Sequence, residues 1–281
     1  MRLLVTGGTG WVGRHVVRVA RAAGHDVVAA SRNPGGDGPG GDGDGDGPGG
    51  VRLDVRDATE VRRCLETVRP DAVVHTAYDQ QDWATTTLGT VHVVRACSRV
   101  GARLVALSSD LVLPSREAWS DESVPPAPTT PYAAAKAACE AAVAAALDDA
   151  VVVRTSLVVG SGSKHHALVH AVAAGQGALR GDEIRCPVHV LDLSTALVEL
   201  ASGSDAAPGL LHVAGPQALS RHELGLVVAR HEGLDPASLP AQRRGDAPGP
   251  ACVRLDSTLA TSLLRTRIRP VDEALAAEGS C

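Results

Sequence analysis

Six short runs rich in Val, Leu and Ala, separated by longer stretches with helical periodicity, constrain this chain more than any other feature. They read RLLVT, DVVAAS, VRLDV, DAVVHTA, RLVALSS and AVVVRTS, and each is bounded by Gly, Pro or Asp. A run that is apolar on both alternating faces needs cover above and below, which the crossover helices of a parallel sheet supply. The expected fold is therefore α/β, a doubly wound parallel sheet of the Rossmann type. At 281 residues the chain is long enough for such a sheet and a smaller C-terminal lobe. The periodicity places residues 1–158 in the sheet domain, with 186–215 returning to it, and 159–185 and 216–281 in the lobe.

The core must be built almost without aromatic rings. The chain has no Phe, three Trp and two Tyr, Tyr78 and Tyr132, so an aromatic side chain is more likely than usual to have a specific task. Lysine is as scarce, with only Lys136 and Lys164 against a background of arginine. A net charge of -5 gives no footprint for nucleic acid or an anionic membrane surface. The six cysteines form no CxxC pair, which argues against a zinc ribbon or a disulfide framework and for a reducing compartment. MRLLVTGG runs straight into a strand and turn, and no run reaches the roughly 18 apolar residues of a membrane span, so a cytoplasmic protein is expected.

Gly35 to Gly50 reads GGDGPGGDGDGDGPGG and holds no side chain that could fill a core. Asp42, Asp44 and Asp46 alternate as calcium ligands do, but Leu53 stands where an EF-hand loop needs its bidentate Glu. A disordered insertion is the expectation. His165, His166 and His170 have no acidic or Cys partner at ligand spacing, so no metal is expected.

LLVTGGTGWVG places Gly7, Gly10 and Gly13 between the first strand and an amphipathic helix, with Thr9, Trp11 and Val12 filling the turn. Glycine is required where backbone turns sharply and approaches a pyrophosphate, whose charge the helix N-terminus then meets. At the end of the second strand an acidic residue would hold the ribose of NAD. Here stand Ser31 and Arg32, a hydroxyl and a permanently charged fork suited to a 2′-phosphate, so NADP(H) is expected, with NAD(H) the alternative. Asp54 and Val55, and Thr76 and Ala77 after the fourth run, complete the candidate cofactor contacts.

In TTPYAAAKAACEAAVAAAL, Pro131 suits a first helical position and the Ala-rich run is strongly helix-forming. Tyr132 and Lys136 then lie one turn apart on one face. An ammonium beside a phenol favours the phenolate and brings the tyrosine toward the working range of a general acid or base. Ser109, at the C-terminal edge of RLVALSS, is the candidate to polarise a substrate oxygen, and Ser108 is read as local packing or capping.

The chain resembles the extended short-chain dehydrogenase/reductase family from TGGTGWVG through LSSDLVLPS and PYAAAK to RCPVHVLDL, and within it the dTDP-4-dehydrorhamnose reductase-like branch. The resemblance implies a Ser109, Tyr132 and Lys136 triad, with Lys136 also on the cofactor ribose, and a C-terminal lobe that binds a nucleotide sugar. Arg185, before CPVHV, falls where relatives hold the nucleotide diphosphate, and Lys164 is a second anion candidate. The sequence departs from the family pattern at Thr86, where an asparagine is usual, at Leu157, where a tryptophan is usual, and in RCPVHV. The implied activity is NADPH-dependent reduction of a nucleotide-linked, dTDP-carried 4-keto-deoxysugar. A nucleotide-sugar epimerase of the same fold and a non-catalytic NAD(P)-binding regulatory subunit are the alternatives, and a homodimer is compatible with all three. Dehydration is disfavoured because Asp110 is followed by Leu111, where a dehydratase has an Asp-Glu pair.

Overall fold

A computed structural model describes residues 1–34, 50–203 and 209–278. Most of the Gly/Asp tract read as a disordered insertion lies outside the described residues. The chain divides into two compact units, one of residues 1–108, 131–153 and 194–211, the other of 109–130, 154–193 and 212–281.

The first unit is built on a seven-stranded sheet. In chain order its strands are β1 (Arg2–Thr6), β2 (Asp26–Ser31), β3 (Val51–Arg52), β4 (Ala72–His75), β5 (Arg103–Leu107), β6 (Ala150–Arg154) and β7 (Leu210–His212). They lie in the order β7-β6-β5-β4-β1-β2-β3, with β1 parallel to β2 and β4, and β5 parallel to β4 and β6. The chain therefore steps outward one way from β1 and the other way from β4. Ligands bind at such a reversal, outside the C-terminal strand ends, and here those ends carry Thr6 and His75. Their apolar residues are fully enclosed, with Leu4, Val73, Leu104 and Val152 in one core beneath Val61, Leu65, Val93 and Val94.

Helices α1 (Trp11–Ala22), α2 (Ala58–Val68), α3 (Gly89–Val100) and α4 (Pro131–Ala146) cover the sheet, and the end of α6 (Val190–Ser202) joins this unit. Each obeys its sequence. In α1, Gly13, Val16, Val17 and Ala20 recur at helical spacing and are buried. Asp57 caps α2 by accepting from the N–H groups of Thr59 and Glu60. Gly101 ends α3 in the left-handed region at φ 72°.

The second unit holds α5 (Lys164–Ala173), α7 (Arg221–Glu232), α8 (Thr258–Leu263) and α9 (Val271–Glu278) with short two-stranded pairings. Val159, Val169, Leu224, Val228, Val271 and Leu275 form its core. A reciprocal capping box of Ser220 and Glu223 starts α7, and Gly233 ends it.

These units divide elsewhere than the sequence bounds. Residues 109–130 join the second unit because Trp119–Ser120 pairs with Arg254–Leu255, and Arg116 donates to the Cys252 carbonyl. Such pairing across more than a hundred residues leaves no local pattern. VRLDV keeps only Val51–Arg52 as strand, since Asp57 N–H turns back to the Asp54 carbonyl. Helix α6 starts at Val190, directly after the short strand Val188–His189.

Candidate active site

The glycine turn is closed by backbone packed on backbone. Gly7 has φ 72°, and a Cβ there would lie 2.8 Å from the Ala77 nitrogen. A Cβ on Gly13 would lie 2.1 Å from the Gly7 carbonyl oxygen, so any side chain would push α1 off the turn. Gly10 N–H donates to that same oxygen at 2.9 Å, and no side chain caps the N-terminus of α1. Thr9 sits in the turn, and Trp11 and Val12 open the helix, Trp11 edge-on to His15 at 5.2 Å. Thr76 donates to the Thr6 carbonyl through both its N–H and its hydroxyl, at 3.1 and 2.8 Å, which locks the ends of β1 and β4 together.

At the end of β2, Ser31 is buried with a hydroxyl that has no hydrogen-bond partner among the described residues, and Arg32 is exposed beyond it. Asp54 is already engaged: Arg56 approaches to 2.6 Å, and this hydrogen bond, above all, brings the carboxyl down to about 2, with Arg32 adding to the effect. The Val55 side chain is buried, and its carbonyl accepts from His92 Nδ1 at 2.9 Å. Cradle and orphan hydroxyl together have the form that a dinucleotide requires.

Tyr132 and Lys136 stand one turn apart on α4, as the spacing predicts. The Lys136 amine is buried and donates to the Leu107 carbonyl, at the end of β5, at 2.7 Å. Desolvation pushes its pKa down, while Cys139 and Glu140 oppose that shift. Tyr78 touches both members of the pair: its ring centroid lies 5.2 Å from Lys136 Nζ and 5.9 Å from the Tyr132 ring. Burial, helped by Asp79, raises the Tyr78 phenol, so it stays protonated. Sequence reasoning gave Tyr78 no role, although the scarcity of tyrosine was a signal.

Behind the pair runs a chain of buried polar groups. Thr90 Oγ1 donates to the Thr86 carbonyl at 2.6 Å and so accepts from His75 Nε2 at 3.0 Å. His75 Nδ1 is then an acceptor, for Thr6 Oγ1 at 2.6 Å. Burial first, and Lys136 second, hold His75 neutral with a pKa of about 3. Thr86, in the family's asparagine position, exchanges hydrogen bonds with the Asp79 backbone, and its carbonyl also accepts from Cys139 Sγ. Ser108 is no local cap: its hydroxyl donates to Glu140 Oε1 at 2.6 Å.

In the second unit, Ser109 accepts from Leu111 N–H and donates to Asp110 Oδ1 at 3.3 Å. Asp110 is buried, takes the Ser156 hydroxyl at 2.6 Å and faces Arg185 Nε at 3.5 Å. Arg185, expected to meet a diphosphate, is 2% exposed, and its terminal nitrogens donate to the carbonyls of Ile184, Ala251 and Pro250. It ties two backbone segments together and presents no open face. Lys164, at the start of α5, is exposed and is pushed down by partial desolvation and by Arg221. Arg221 donates to His165 Nδ1 at 3.2 Å and pairs with Glu183 at 3.0 Å. Arg221 was not singled out in the sequence, where it is one arginine among many.

The expectation that the histidines lack acidic partners needs correction. Glu232, from α7, meets both His166 and His170, because helix packing brings together residues more than sixty apart in sequence. Among the described residues no group of His, Cys, Asp and Glu has the arrangement of a metal site.

A parallel sheet with a glycine cradle at its reversal and a Tyr-x-x-x-Lys helix defines the extended short-chain dehydrogenase/reductases, a class of NAD(P)-dependent oxidoreductases. The chain belongs to the RmlD substrate binding domain family, whose model matches residues 1–277. It is 30% identical over 262 residues to a dTDP-4-dehydrorhamnose reductase of Mycobacterium tuberculosis, covering 89% of this chain and 82% of that protein. It is 33% identical over 263 residues to the 2′-dehydrokanamycin reductase of Streptomyces kanamyceticus, covering 86% and 70%. The fold matches a crystal structure of dTDP-4-dehydrorhamnose reductase from Bacillus anthracis in complex with NADP, with a TM-score of 0.81 at 19% identity over 98% of this chain and 96% of that one.

Proposed function

We propose that this protein is an NADPH-dependent ketoreductase acting on a dTDP-linked 4-keto-deoxysugar. The observation that carries the reading is the buried Lys136 amine one helical turn from Tyr132, at the C-terminal end of β5, the strand next to the sheet's reversal. NADPH held by the glycine cradle, Ser31, Arg32 and Lys136 would supply a hydride for the carbonyl carbon. Tyr132 delivers the proton to the carbonyl oxygen, so that ketone, hydride and proton give one alcohol. Lys136, as an ammonium, holds the cofactor ribose and favours the phenolate that Tyr132 becomes. Ser109 turns its hydroxyl from Asp110 to the developing alkoxide. Gly7, Gly10 and Gly13 admit the pyrophosphate, Ser31 offers its unpartnered hydroxyl to the adenosine ribose, and Arg32 pairs with the 2′-phosphate.

Lys164 and Arg221, with the neutral imidazole of His165 between them, give the second unit a cationic patch suited to the substrate's diphosphate, in place of Arg185. One observation favours a second reading, a keto-sugar carried on no nucleotide: the donors of Arg185 are taken up by backbone carbonyls. Purified protein is offered NADPH with dTDP-4-keto-deoxysugars and, separately, keto-sugars without a nucleotide. Oxidation of NADPH with the first set supports the proposal. Oxidation with the second set alone replaces it, and turnover without net oxidation points to an epimerase.

A further inference from the structure

We infer that Glu140 is the counter-ion of Lys136, a positioning carboxylate that keeps the buried amine an ammonium through neutral pH and holds it in place behind Tyr132. It rests on the reading of Lys136 as the partner of Tyr132. Three observations lead to it. Glu140 stands four residues after Lys136 on α4, and both side chains are buried, at 8% and 5% exposure. Both are fastened to consecutive residues at the end of β5: Lys136 to the Leu107 carbonyl at 2.7 Å and Glu140 to the Ser108 hydroxyl at 2.6 Å. A buried ammonium without an opposing charge would give up its proton, since desolvation penalises the charged form.

The groups facing Lys136 leave that task to Glu140. From β4, His75 is neutral, with its two ring nitrogens committed to Thr6 and Thr90. Tyr78, from the segment after β4, offers a ring face and a protonated phenol. On α4 itself, Cys139 also favours the ammonium but has its Sγ committed to the Thr86 carbonyl, and Tyr132 is the group to be served. Glu140, Ser108, His75, Thr90 and Cys139, together with the apolar Ala106, Leu107, Val143 and Val152, line a void large enough for about one water. Among the described residues, the carboxylate that acts on Lys136 is that of Glu140.

A chain with two lysines permits a direct test. Lysine labelled with carbon-13 at the ε-carbon gives two side-chain signals, told apart by the loss of one in Lys164→Gln. Each is titrated by NMR in the ligand-free protein. The wild-type Lys136 midpoint is expected above neutrality but below that of an ordinary lysine, and Glu140→Gln, which keeps the shape and the acceptor for Ser108, is expected to lower it by about one pH unit or more. Ser108→Ala keeps the charge, and its midpoint should stay within about 0.3 unit of wild type. In turnover, the alkaline limb of the kcat profile should move to lower pH in Glu140→Gln and stay in place in Ser108→Ala. An unmoved midpoint in Glu140→Gln, or a wild-type midpoint below neutrality, overturns the inference. The second criterion still applies if Glu140→Gln does not fold. Because the titration needs no substrate, a protein that reduces no keto-sugar defeats the proposed function and leaves this result to be read separately.

Discussion

The two lysines of this chain sit in opposite electrical settings. Lys136 is buried in the sheet unit, where burial acts against its charge and Glu140 and Cys139 act for it. Lys164 lies at the surface of the second unit, where both its partial desolvation and its neighbour Arg221 act against its charge. An amine supplied with an internal counter-ion is set up to keep a fixed charge for chemistry. An amine set beside a guanidinium gains most when an anion arrives from outside. In the proposed function, the same residue type serves catalysis in one unit and recognition in the other.

The sharpest way to break that comparison is to remove the proton that the first setting serves. Tyr132→Phe keeps the ring beside Tyr78 and the helix, but removes the phenolic proton, and kcat is expected to fall by roughly 10²- to 10⁴-fold while NADPH binding, followed by fluorescence, survives. Lys136→Arg should be nearly as damaging despite its charge, because a planar fork cannot fill the seat of a compact amine on the Leu107 carbonyl. Turnover by Tyr132→Phe close to wild type would remove the sheet unit from the chemistry. The next largest effect concerns the cofactor. Arg32→Asp should cost roughly 10- to 100-fold in kcat/KM for NADPH and gain for NADH, which steady-state kinetics with both cofactors would read.

A pair of depressed histidines, one in each unit, extends the contrast. His75 and His165 both have pKa values of about 3, the first through burial and Lys136, the second through burial, Arg221 and Lys164. A histidine with a folded pKa below its unfolded value binds fewer protons when folded, so the stability it contributes is present above about pH 6.5 and is lost as pH falls toward 3. For fully buried His75 the loss between pH 6.5 and 5 is about 2 kcal/mol. The contribution of His165, only partly buried, is smaller. Urea denaturation at both pH values measures the difference, and His75→Asn should shrink it. An unchanged pH dependence in that variant would mean that His75 is protonated in the fold.

What could be read from the sequence was whatever is encoded locally. Gly7 and Gly13 are legible because no other residue fits a turn where backbone meets backbone, with Gly10 completing the array, and Tyr132 with Lys136 because helical spacing places them on one face. Ser108 reads in the sequence as local packing or capping, and no local pattern marks Glu140 or gives Tyr78 a role. Their significance lies in contacts across the fold, such as the bond from Ser108 to a glutamate 32 residues away. Arg185 shows the reverse error. A motif suggested a ligand, but the pairing of Ile184–Arg185 with Leu219–Ser220, and the approach of Pro250 and Ala251, turned its guanidinium inward.

The smallest expected effect tests the other lysine. Lys164 is exposed, so its attraction for an anion is screened by solvent and amounts to about 1 kcal/mol or less. Lys164→Gln should therefore raise KM for a dTDP-linked keto-sugar by roughly three- to fivefold and leave kcat within about twofold, since a contact made equally in ground and transition states alters binding alone. The increase should shrink as salt is added, because screening already weakens the wild-type contact. For a keto-sugar with no phosphate, the same substitution should change KM little. A fall in kcat as large as that of Lys136→Arg would end the division of labour between the two lysines, because Lys164 would then have to act on the reacting atoms. A KM that is insensitive to the variant, the carrier and the salt would move the anion contact to another residue of the second unit, with Arg221 the first to test.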